Sequence, residues 1–172
     1  MWVSDRYAGQ QDLAPAHQAC LAHLLRDVQY AIDCGDTVFA PRLRELLRWA
    51  IRVGRRRHRL KATTLRHYHA LVAMPAAHPA GRQLQTAVKA WRTKFFVFLE
   101  HPDVPPTNNA CERELRPSVV FRKVTGGFRS PWGAHVHAAY RSVTGTASIQ
   151  GHTPLQAINH LLAGTFTPAP VT

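Results

Sequence analysis

Two asparagines, two glutamates and two arginines stand between prolines in PPTNNACERELRP, residues 105–117. The whole chain has only ten acids in 172 residues, so two of them set among amides and guanidinium groups ask for a cause. One cause is a helix start. With Asn109 as the cap, Glu112 falls at the third helical position and bonds back to the backbone, a capping box. The other cause is a carboxylate held for a metal ion. Capping accounts for Asn109 and Glu112 and leaves the rest over. Asn108, Glu112 and Arg116 are four apart and share one helical face. Glu114 points elsewhere and can pair with an outside arginine, and Arg113 lies on a third face. The stretch FRKVTGGFRS follows at once, with Arg122, Lys123 and Arg129 beside two glycines. A carboxylate ringed by amides and cations, leading into a basic glycine-rich loop, suits a metal ion that meets phosphate.

Charge extends the same theme. Lys and Arg total 22 against 10 acids, a net charge of +12. The densest cluster is RVGRRRHRLK, residues 52–61, with Arg55, Arg56, Arg57, Arg59 and Lys61. Guanidinium forks match phosphate geometry, and such a cluster attracts nucleic acid with strong salt dependence. The plainer alternative is a solvated helix face or a flexible basic loop. No apolar run reaches the ~18–20 residues needed to span a bilayer, and the start MWVSDRYAG has no basic stretch followed by an apolar one, so no secretory signal is read. Three widely spaced cysteines, Cys20, Cys34 and Cys111, with no CxxC pair, fit a reducing cytoplasm rather than a disulfide framework. Cys20 and His23 could supply half of a zinc site, but the sequence offers no matching second half. The eleven histidines are scattered and none is assigned to catalysis.

The elements that must position these residues are mostly helical. Trp2 to Ser4 reads as the end of a strand with Asp5 at its tip, and residues 8–16 as a loop. Apolar spacing predicts helices over about 22–32, 41–53, 62–72 and 83–99. In the second, Pro41 suits the first turn. In the fourth, Leu84, Val88, Trp91, Phe95 and Phe98 form an apolar face. A short helix from Asn109 must end by Pro117, because a residue before proline disfavours helix. Residues 119–128 read as a loop or weak hairpin, and 134–149 as a further helix. The last helix is well punctuated: Thr153 caps, Pro154 opens, Leu155, Ile158, Leu161 and Leu162 form the face, and Gly164 stops it.

With these elements in place, VPPTNNACERELRPSVVFRKVTGGFRSPWGA (104–134) resembles the C-terminal part of DDE-type transposases of the insertion-sequence family numbered sixty-six, which carry an NNxxERxxRP signature, a basic loop, a helix and a proline-led closing helix. SDRYAG (4–9) is similar to that family's Asp-Gly-Tyr segment, with Arg6 where the family usually has glycine. CLAHLLRD (20–27) is similar to its Cys-x-Ala-His-x-x-Arg segment. The resemblance implies the C-terminal part of an RNase H-like α/β domain, mostly α with few strands present. It implies a single domain over 1–172 that lacks its first strands and first catalytic Asp. Within that domain, 37–100 corresponds to a helical insertion and 101–164 to the C-terminal catalytic segment, with a frayed tail at 165–172.

Carried over by position, Asp5 matches the second acid and Glu112 the third, both as ligands of Mg2+ or Mn2+. Asn108, Asn109, Arg113 and Arg116 match the signature around Glu112. The implied function is DNA transposition by metal-dependent strand cleavage and transfer in the bacterial cytoplasm, at the nucleoid, with an isolated chain short of one acid inactive. The partners are DNA and a second transposase chain, with no membrane. Read from charge, Arg55, Arg56, Arg57, Arg59, Lys61, Arg122, Lys123 and Arg129 are the DNA-binding residues. The competing reading is a basic helical module, or a decayed remnant, that holds DNA without cutting it.

Overall fold

The computed structural model describes residues 1–10, 14–54 and 60–167. Arg55, Arg56, Arg57 and Arg59 therefore lie outside the described residues, as does the end of the tail. The architecture is mostly helical, with seven α-helices and two short parallel strands among the described residues. The chain divides into two compact units, residues 1–109 and 110–172.

In the first unit, β1 (Trp2–Ser4) pairs in parallel with β2 (His17–Ala19), Trp2 opposite His17 and Ser4 opposite Ala19. Parallel pairing needs a crossover of about a dozen residues, which 5–16 provide. The sequence reading missed β2, whose HQA has no strand-like alternation. All three of its residues are nevertheless buried. Gln18 is fully buried and explains the strand: its Nε2 donates to the carbonyls of Ala19 (2.7 Å) and Phe95 (3.0 Å), and its Oε1 accepts from the Phe98 N–H (3.0 Å).

Four helices follow: α1 (Leu21–Asp33), α2 (Phe39–Gly54), α3 (Lys61–Ala73) and α4 (Pro79–Ala90). Leu21, Leu24 and Val28 of α1 meet Leu43 and Leu47 of α2, Tyr68 of α3, and Leu84 and Val88 of α4 in one apolar core. Polar groups inside it are satisfied. The Tyr68 hydroxyl donates to the Val88 carbonyl at 2.7 Å, and burial pushes its pKa up. Gln85 Nε2 donates to the carbonyls of Val72 (2.9 Å) and Met74 (2.6 Å), which ties α4 to the end of α3.

Two boundaries differ from expectation. Phe39 opens α2, so Pro41 sits in its first turn but not at the first position. The fourth helix stops at Ala90 instead of running to Leu99; residues 97–99 form a short 3-10 turn. The reason is competition for carbonyls. Those of Lys94 and Phe95, which a helix would use internally, accept from the Ala19 N–H (2.7 Å) and from Gln18. The aromatic residues still belong to the core: Phe95, Phe96 and Phe98 are all buried.

The second unit holds most of α5 (Asn109–Thr125), α6 (Pro131–Ile149) and α7 (Pro154–Leu162). Helix α5 overturns two expectations. It does not end before Pro117, which lies inside it, and it replaces the loop or hairpin read over most of 119–128. An internal proline removes one backbone bond and costs on the order of 3 kcal/mol. Contacts to α6 on both sides of Pro117 offset that cost: Glu114 with Arg141 before it, Ser118 and Phe121 with His137 after it. The last helix agrees with the sequence reading. Thr153 and Gln156 form a reciprocal capping box, Pro154 is in the first turn, and Gly164 has φ +68°.

A buried carboxylate sets the α1–α2 corner. Asp36 accepts from the backbone N–H groups of Val38 (3.0 Å), Phe39 (3.0 Å) and Ala40 (3.3 Å). A Cβ on Gly81 of α4 would stand 1.9 Å from Asp36 Oδ2, so the cap requires a bare backbone there. Asp36→Ala is expected to destabilise the chain by about 1–3 kcal/mol. Gly81→Ala is expected to destabilise comparably, without removing any hydrogen-bonding group. Urea midpoints of both variants check this.

Candidate functional site

Strand β1 delivers Asp5 to its C-terminal tip, half-buried, where Oδ1 accepts from the Tyr7 N–H at 3.0 Å. This short-range bond is how an aspartate stabilises a turn. Arg6 turns to α1 and forms an ion pair with Asp27. Burial lowers the Arg6 pKa, an effect that neighbouring Asp5 opposes. Ser4, just before the tip, is buried and its Oγ lies 2.9 Å from His17 Nε2.

Beyond the strand pair, Cys20 joins three distant segments. Its N–H donates to the Ser4 carbonyl at 2.7 Å, and its Sγ accepts from the Asn108 N–H at 3.4 Å. The next residue, Leu21, donates its N–H to the Pro106 carbonyl at 2.9 Å. The beginning of the amide-rich motif is thus seated beside the tip of β1 and the entry to α1, all within the first unit. The donor atoms of Cys20 and His23 lie within 4.8 Å of each other, one turn apart on the entry to α1. Spacing suggests only half of a zinc site, from Cys20 with His23, and does not reveal this joining role. Its one signal is its place at the head of the CLAH segment.

Asn108 precedes α5 and is half-buried. Its side-chain Oδ1 is shielded from solvent and has no hydrogen-bond partner among the described residues. Asn109 is the first residue of α5, so the cap position falls on Asn108, one residue earlier than expected, and Glu112 moves past the third helical position. Glu112 sits half-buried in the first turn of α5, while Arg113 and Arg116 are exposed. In the first unit Lys61 forms an ion pair with Glu100.

Glu114 found the outside arginine expected of it. Arg141 of α6 donates from Nη2 to Glu114 Oε2 at 3.2 Å and to the Glu114 carbonyl at 3.1 Å. Gly145 faces the same carboxylate, and a Cβ there would stand 2.9 Å from Oε2. Glu114 is therefore accounted for by helix packing and is set apart from Glu112. At the other end of α5, Arg122 and Lys123 occupy the last turn and Arg129 follows, all exposed.

Residues 1–136 match the family model described as Transposase IS66 family. That match takes in the strand tip, the CLAH segment, the amide-rich motif and the basic turn, and it covers 136 of 172 residues. The chain belongs to the IS66 family of transposases. Membership gives it a role in transposition, with DNA as the partner and divalent-metal chemistry as the family's means. No curated protein and no solved structure matches it. No helix among the described residues is long and apolar enough to cross a membrane.

The Glu114–Arg141 pair is partly exposed, so its coupling is modest. A double-mutant cycle with Glu114→Gln and Arg141→Gln is expected to give about 0.5–1 kcal/mol at low salt. The coupling should shrink as salt is added, as read from thermal or urea unfolding.

Proposed function

We propose that this chain supplies part of an RNase H-like catalytic domain that cleaves and joins DNA strands, with Asp5 and Glu112 as metal-binding carboxylates. The observation that carries this reading is the junction at Cys20. It brings the tip of β1, the entry to α1 and the start of the NNxxER motif together, although Cys20 and Asn108 are 88 residues apart in the chain. A parallel strand ending in an acid and leading by a crossover to a second strand and a helix is consistent with such a domain.

The donor chemistry fits a hard divalent cation. Carboxylate and amide oxygens suit Mg2+ or Mn2+, whereas a thiol and an imidazole do not. The shielded, unpartnered Oδ1 of Asn108 is an oxygen of the same hard class. Asp5 and Glu112 would hold the ion, with Asn108 supporting. When bound, such an ion polarises a phosphodiester and lowers the pKa of an attacking water or hydroxyl. The protein's own contribution is to fix the carboxylates on rigid elements: Asp5 by its turn bond to Tyr7, Glu112 by the first turn of α5. Arg113 and Arg116 present charge toward phosphate without competing for the ion. Arg122, Lys123 and Arg129, with the 55–61 cluster, hold the DNA backbone.

The isosteric variants Asp5→Asn and Glu112→Gln test the carboxylates. Each removes a charged ligand and is expected to weaken Mn2+ binding by at least about tenfold, measured by calorimetry, and to abolish any Mn2+- or Mg2+-dependent nicking of supercoiled DNA. Wild-type Mn2+ affinity in both variants overturns the assignment. Replacing Arg55, Arg56 and Arg57 with Gln should lower the slope of log affinity against log salt by up to about 0.9 for each phosphate no longer neutralised. DNA binding that depends on these arginines and ignores Glu112→Gln would favour the non-cutting module.

A further inference from the structure

We propose that the α5–α6 turn is a DNA-gripping element in which the Trp132 indole stacks on an unpaired base while Arg122, Lys123 and Arg129 hold the adjoining phosphates. The proposal rests on the DNA reading above and adds a contact to the base itself.

The turn is built to project. Gly126 has φ +77° and Gly127 φ +114°, conformations that favour glycine, and a Cβ on Gly126 would meet nothing within 4 Å. Thr125 closes the turn, its hydroxyl donating to the carbonyls of Phe121 (2.8 Å) and Gly127 (3.3 Å). The base of the turn is clamped by a three-ring stack. The centroids of Phe121, Phe128 and His137 lie 5.0–5.2 Å apart pairwise, and Ser118 Oγ sits 3.1 Å from His137 Nε2. Helix α6 then starts cleanly, with Ser130 Oγ accepting from the Gly133 N–H at 3.1 Å.

On this rigid base Trp132 is 75% exposed. Phe121 and Phe128 are taken up by the stack, and Trp132 makes no ring contact among the described residues. A large indole held in water on a fixed helix start forgoes the favourable burial such a side chain usually gains. What could cover it is narrowed by charge. Residues 121–132, FRKVTGGFRSPW, carry three cations and no acid, which complements a phosphate backbone. An aromatic face beside a basic track is how proteins hold unpaired nucleotides, since every base offers a π-face. Paired bases inside a duplex are already stacked and offer the indole no face, so the contact selects frayed, flipped or single-stranded positions.

Fluorescence anisotropy of the full chain with a blunt duplex and with the same duplex bearing an unpaired overhang tests this. Trp132→Ala is expected to lose about tenfold in affinity for the overhang DNA and less than about twofold for the blunt duplex. Trp132→Phe should keep most of the overhang preference. Replacing Arg122, Lys123 and Arg129 with Gln should weaken both DNAs and flatten the salt dependence. An unchanged circular dichroism melt for Trp132→Ala is expected from its exposure. Equal losses on both DNAs, or none on the overhang, overturn the stacking role while leaving DNA binding intact. A wild-type chain that binds neither DNA removes the DNA reading and this inference together.

Discussion

One buried amide governs the first unit. Gln18 has no exposed surface, and all its hydrogen bonds go to backbone: two donated to the carbonyls of Ala19 and Phe95, one accepted from Phe98. In an apolar core each of those groups would cost about 1–3 kcal/mol if left unpaired. The amide therefore fixes where residues 95–98 run, and with them the buried Phe95, Phe96 and Phe98. It also fixes β2. Because β2 leads directly into Cys20 and Leu21, whose N–H groups reach Ser4 and Pro106, the geometry around the motif residues follows from one side chain in the strand before them.

The same amide explains where periodicity misled. Leu84, Val88, Trp91, Phe95 and Phe98 read as one helical face, and most of these residues are indeed core. The pattern identified burial correctly and the backbone wrongly, since two carbonyls after Ala90 are drawn to β2. Strand β2 itself was invisible because HQA has neither β-branched residues nor alternation; its burial comes from partners far along the chain. By contrast α1 and α7 were legible: α1 from its apolar spacing, and α7 because its ends are marked by local chemistry, Thr-Pro before it and Gly164 after it. Pro117 was misread for the opposite reason. The local rule is sound, but cross-helix contacts before and after the proline outweigh it.

The candidate site was legible as a list of residues and not as an arrangement. Asp5 stands at the strand tip as read, while Glu112 stays in the first turn of α5 but one position further along than the capping-box reading put it. Glu114 could be separated from Glu112 by facing alone, and its bond to Arg141 bears that out. What could not be read was the thiol of Cys20 as an acceptor for the Asn108 N–H. A sulfur acceptor is a weak hydrogen-bond partner, and no spacing rule links residues so far apart. The orphaned Asn108 Oδ1 was equally hidden, since it follows from the burial of the whole junction.

The second unit keeps its shape by other means. Among its described residues only Thr144, Ala147 and Ala157 are buried, against twenty residues in the apolar core of the first unit. A small helical unit with so little buried surface gains little from the hydrophobic effect. Local devices take a larger share: the Ser130 cap, the Thr153–Gln156 capping box, the left-handed Gly164 and the Phe121–Phe128–His137 stack. Each cap contributes on the order of 1 kcal/mol, and none requires a large core. Such devices hold helices α6 and α7 and the turn before them in register while leaving apolar side chains of the unit uncovered, Val124 of α5 and Trp132 of α6 among them. Under the DNA contact proposed above, such an element gains from this economy, because its order comes from backbone bonds and ring stacking, and its surface stays available.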